Sequence, residues 1–71
     1  MEMLLTLKLF EERYEKIMVE PSLPRRDIRL GELMEEMEKT FQIPMLKNTD
    51  WESLNLEIVD LYQRVSNSRV F

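Results

Sequence analysis

Three arginines hold the chain's most concentrated chemical potential. Arg25, Arg26 and Arg29 lie in the run PRRDIR, close to where a helix must begin. Guanidinium groups beside a helix start could hold a phosphate or a carboxylate. Asp27 interrupts the cluster, no aromatic is interleaved, and the whole chain carries a net charge of −4. Such a balance disfavours nucleic acid or an anionic membrane as the main partner. Other reactive types are scarce. The chain has no histidine and no cysteine, which removes Cys–His and Ser–His pairs and histidine-based metal sites. Gly31 stands alone, so no glycine-rich phosphate loop exists. Glu11, Glu12 and Glu15, and then Glu32, Glu35 and Glu36, fall on what should be solvated helix faces. No Asp/Asn spacing of the calcium-loop kind is present. These observations predict a protein without catalysis, metal or cofactor.

With 71 residues there is room for one small domain, and its core is marginal for its size. Without cysteine no disulfide can reinforce it, which leaves self-association as the usual support. Hydrophobic residues make up 44% of the chain, too many for a disordered segment. A single glycine favours helices over a many-stranded fold. The opening MEMLLTLKLF has an acidic start and Lys8 within it, unlike a secretion signal. It is also about half the length of a membrane span. A cytoplasmic protein is expected.

Three helical stripes position the candidate residues. Met3, Leu7, Phe10, Tyr14 and Ile17 recur at steps of four and three, predicting a helix over 3–19. Leu5, Leu7 and Leu9 also alternate with Thr6 and Lys8, so an N-terminal hairpin beneath two helices is the competing α+β reading. On the helical reading Leu5 and Leu9 point away from the main stripe, one turn apart, as a candidate partner contact. Pro21 and Pro24 suggest a linker over 20–26. Leu30, Leu33, Met37 and Phe41 make the second stripe, in a helix over about 27–41 that starts near Asp27 or Gly31. Pro44 stops it, and Ile43, Met45 and Leu46 in the connection 42–48 are expected to cover the core.

The third helix, over 50–66, has the cleanest stripe: Trp51, Leu54, Ile58, Leu61 and Val65. Thr49 and Glu52 have capping-box spacing before it. Its remaining surface is acidic against a single Arg64, so it should not dock on DNA. In the tail 67–71, Phe71 is a further candidate partner contact. The rhythm of Glu32-Leu33, Met37-Glu38, Phe41 and Ile43 resembles the second helix of acyl carrier proteins. That resemblance spans about a dozen residues, and Asp27 stands where the family carries its phosphopantetheine serine. It therefore implies no prosthetic group, and no family is assigned. The expected fold is an all-α compact three-helix bundle. The expected role is a protein–protein interaction or regulatory module, a homo-oligomer with a protein partner. The alternative is an anion or nucleic-acid binder using Arg25, Arg26 and Arg29.

Overall fold

The computed structural model describes the backbone of residues 2–70 and the side chains of residues 4–70. Its helices are α1 (Glu2–Met18), α2 (Leu23–Phe41), α3 (Thr49–Leu54) and α4 (Leu56–Asn67). Among the described residues there is no strand, so the chain is an all-α bundle and the hairpin alternative is set aside. Within α1, Leu7 is buried while Leu5 and Leu9 are exposed. The apparent alternation is one turn of helix seen edge-on.

Helix α2 starts earlier than the prolines suggested. Ser22 is its N-cap, and its hydroxyl accepts from the Arg25 N–H at 3.4 Å. Pro24 then sits at the second helical position, where its missing N–H is one the helix could not have bonded. The expected linker over 20–26 shrinks to residues 19–22, and Asp27 and Gly31 lie well inside the helix. The other end follows the sequence reading. Gln42 adopts a left-handed conformation (φ 54°), and the Ile43 N–H returns to the Glu38 carbonyl at 3.1 Å. That is the Schellman-type closure common at helix ends, with Ile43 folded onto the core.

The expected long third helix is broken. Asn48, not Thr49, is the N-cap, accepting from the Trp51 N–H at 3.0 Å. After one and a half turns Asn55 leaves helical geometry (φ −134°, ψ 44°), and its side-chain amide donates to the Trp51 carbonyl at 2.8 Å. A short amide side chain that bonds nearby backbone competes with helix continuation. The break takes Leu54 off the Ile58 stripe, leaving it 84% exposed.

The core is assembled around α2. Leu30, Leu33 and Met37 are fully buried. On one side they meet Leu7, Phe10 and Ile17 of α1, and on the other Ile58, Leu61 and Val65 of α4. The Phe10 and Phe41 rings sit 5.4 Å apart in a tilted pair, a favoured aromatic arrangement. Met34, Ile43, Trp51 and Tyr62 pack at the core's edge. Met45 and Leu46 do not cover it; both are exposed, because the connection runs outward after Pro44. Pairings fix direction. Arg13 meets Glu36 and Phe10 meets Phe41, so α1 and α2 are antiparallel. Tyr62 meets Glu38 and Val70 meets Asp27, so α2 and α4 are antiparallel too. Helices α1 and α4 therefore run parallel, with Glu11 near Arg64 and Tyr14 bonded to Ser68 at 2.6 Å.

Gly31 faces the Arg69 guanidinium, and an added Cβ would meet its atoms at 3.5 Å. That is ordinary contact with the flexible end of a side chain. Glycine inside a helix costs about 1 kcal/mol relative to alanine. Gly31→Ala is therefore expected to raise stability by about 0.5–1 kcal/mol, read as a higher midpoint in urea unfolding. A lower midpoint would mean that Arg69 cannot shift.

Candidate functional site

The structure separates the residues singled out in the sequence into distinct surfaces. Leu5 and Leu9 lie on the outer face of α1, 66% and 61% exposed. Glu12 and Lys16 continue the same row at helical spacing. Leu9 also edges a shallow depression of about 370 Å³ that includes Phe10, Arg13 and Thr40. Phe71 lies outside the described residues; its neighbour Val70 is exposed but anchored by its backbone.

Arg25, Arg26 and Arg29 occupy the first turns of α2. Arg25 and Arg29 are exposed and Arg26 is partly covered. Arg29 lies 4.0 Å from Glu20, and among the described residues Arg25 and Arg26 form no ion pair. None of the three edges the depressions along α1 or the cleft beside α4.

Asp27 is the residue whose role the sequence reading missed. It is the buried charged residue of the described chain, 6% exposed. Its carboxylate accepts from the Val70 N–H at 2.8 Å and from Arg69 at 3.4 Å, fastening the tail to α2. A signal was present: Asp27 falls three residues before Leu30, on the buried stripe. A carboxylate there needs a partner.

Some of the other carboxylates are engaged in surface pairing. Arg13 forks onto Glu36 at 2.9 and 2.5 Å. That hydrogen bond raises the Arg13 pKa and lowers that of Glu36. With the Glu36 value lowered, the pair's support is present above the ordinary carboxylate range and is lost as pH falls from there through the lowered Glu36 value. Arg64 lies 3.9 Å from Glu11 and 3.4 Å from Asp60. Among the described residues no group of three potential metal ligands is gathered, and no buried side-chain polar atom lacks a hydrogen bond.

Tyr62 donates to the Glu38 carboxylate across α4 and α2. Burial, reinforced by that bond and by the carboxylate's charge, pushes its pKa up to about 12. A raised value means its contribution is complete below the ordinary phenol range and disappears as pH climbs through about 12. In Tyr14→Phe, Tyr62 is the sole tyrosine. Its phenolate absorbance should then rise with a midpoint near 12. A midpoint at about 10, the value of a free phenol, would show that the Glu38 contact does not persist in solution.

Two further concave surfaces carry exposed apolar side chains. Ile43, Met45, Leu46, Trp51 and Tyr62 edge a cleft of about 230 Å³ between the connection and α4. The longer one runs between the parallel helices α1 and α4. There, depressions of about 280, 390 and 390 Å³ share Leu7 as a common wall. Sequence periodicity could not anticipate this groove, because Leu54 and Leu56 enter it only through the break at Asn55. No described helix is long and apolar enough to cross a membrane. Compared with known proteins, the chain matches no family model, no curated protein and no solved structure.

Proposed function

We propose that the chain is a small, non-catalytic protein-interaction module, regulatory or adaptor-like, that self-associates and acts in the cytoplasm. The observation carrying this reading is the pair Leu5 and Leu9, one turn apart and more than half exposed on a helix whose opposite face is the core. Fully burying a leucine is worth about 1.5–3 kcal/mol. An isologous contact would use each leucine twice, because both copies present the same patch. A core limited to ten buried hydrophobic side chains among the described residues gains in proportion from such a contact.

Sedimentation of the wild type beside Leu5→Glu/Leu9→Glu tests the reading. The wild type should be dimeric at high micromolar concentration, and the double variant monomeric and still helical. A monomeric wild type at that concentration defeats self-association through this face. A second reading rests on Arg25 and Arg26, which form no ion pair among the described residues: a site for a phosphate or nucleic-acid anion. Salt separates the two. An apolar contact survives high salt, whereas anion binding weakens steeply.

A further inference from the structure

The three long helices, α1, α2 and α4, leave a place for one more. Helix α2 lies against both α1 and α4, while α1 and α4 touch each other far less and diverge into a groove. Leu7 and Leu61 line its depth. At one end Leu4, Leu54 and Leu56 stand at its lip, 59%, 84% and 67% exposed. Its lining runs along α1 from Leu4 to Glu15, about 17 Å at the helical rise per residue. That is three turns of a partner helix. Parallel neighbours of this kind are completed, in a four-helix bundle, by a helix antiparallel to both.

Charge selects the occupant. Glu11, Glu12, Glu15, Glu57 and Asp60 edge the groove against two cations, Lys8 and Arg64. Arg64 is already shared between Glu11 and Asp60. Among the described residues Glu12, Glu15 and Glu57 form no ion pair. Apolar depth with uncompensated carboxylates on the rim is complementary to an amphipathic helix bearing leucine-like anchors and flanking lysines or arginines. We infer that the α1/α4 groove docks a basic amphipathic helix of another protein. This extends the interaction reading to a second face and does not depend on self-association through Leu5 and Leu9. A second copy of the chain is a poorer occupant, since it carries the same net negative charge as the groove's rim.

A labelled synthetic leucine–lysine amphipathic helix serves as the probe, beside a leucine–glutamate peptide of the same pattern. Fluorescence anisotropy should show one lysine peptide bound per chain and no binding of the glutamate peptide. Leu54→Ser/Leu56→Ser should weaken binding by about tenfold or more. Both leucines are largely exposed, so the fold should survive, as circular dichroism checks. Glu12→Gln/Glu15→Gln/Glu57→Gln keeps the apolar depth and should lose much of the affinity together with its salt dependence. Leu5→Glu/Leu9→Glu should bind as the wild type does. Equal affinity for the serine variant, or for the glutamate peptide, overturns the inference. So does a dimer that falls apart on Leu54→Ser/Leu56→Ser, since a second copy would then fill the groove. Peptide binding to a monomeric wild type would sustain the groove and defeat self-association through α1.

Discussion

Leu33→Ala is expected to cost about 2–5 kcal/mol, the range for truncating a fully buried aliphatic side chain that neighbours cannot replace. Leu33 has no exposed surface and lies in the middle of α2, in the core shared with α1 and α4. A chain of this length has about 4–11 kcal/mol of stability in all. One buried leucine side chain therefore carries a large share of it. Urea unfolding followed through Trp51, the sole tryptophan, should show a midpoint lower by about 2 M or more at a slope near 1 kcal/mol/M. The informative control is Leu54→Ala. Leu54 sits on the same nominal stripe as Ile58 in the sequence, yet its exposure predicts a change within about 0.5 kcal/mol. Equal losses from the two substitutions would mean that α3 and α4 form one continuous helix and that the break at Asn55 is not populated.

The next largest effect is expected at Asp27. Its carboxylate binds a backbone N–H and a guanidinium from a segment more than 40 positions away. Hydrogen bonds to a charged group are worth about 1.5–3 kcal/mol each in mutational comparisons. Part of that offsets the cost of burying the charge. Asp27→Ala should therefore lose about 2 kcal/mol. Asp27→Asn should lose about half as much, because its amide oxygen can still accept from Val70 while the attraction to Arg69 is gone. Arg69→Ala should be the mildest, since the Val70 bond remains. Amide exchange separates this from a simple core defect: in Asp27→Ala the Val70 amide should exchange freely while those of Leu33 and Leu61 stay protected. An Asp27→Ala protein as stable as the wild type would show that the tail is not held.

Much of the fold could be read before the structure. The stripe Leu30, Leu33, Met37 and Phe41 is buried as its spacing requires; on the first stripe Leu7, Phe10 and Ile17 are buried, Tyr14 is half-buried, and the Met3 side chain lies outside the described residues. Pro44 marked where α2 had to stop. What escaped has local causes. Asparagine inside a helical pattern costs only a few tenths of a kcal/mol by propensity. The apolar rhythm crossing Asn55 therefore hid a break made by one side-chain bond to Trp51. Pro24 reads as a breaker in isolation and as an ordinary helix-start residue once Ser22 caps the turn before it. Trp51 to Val65 has the most regular stripe in the sequence, yet the core is not assembled around it. The organiser is α2, since only the middle helix buries both flanks. Leu5 and Leu9 were readable as an outward pair; the α1/α4 groove was not, because it depends on where the chain bends.

The tail fastening also bears on time as well as on equilibrium. Tyr14 with Ser68 and Asp27 with Val70 join residues 54 and 43 positions apart. Most of the remaining structure is built from hairpin neighbours. Closing a long loop is entropically dearer than closing a short one, so the bundle should assemble from its neighbouring helices first and fasten its end last. Interactions made after the folding barrier slow unfolding and leave the folding rate alone. The contacts of Ser68, Arg69 and Val70 thus bear on how long each folded molecule survives, and breaking them would shorten its lifetime without delaying its formation.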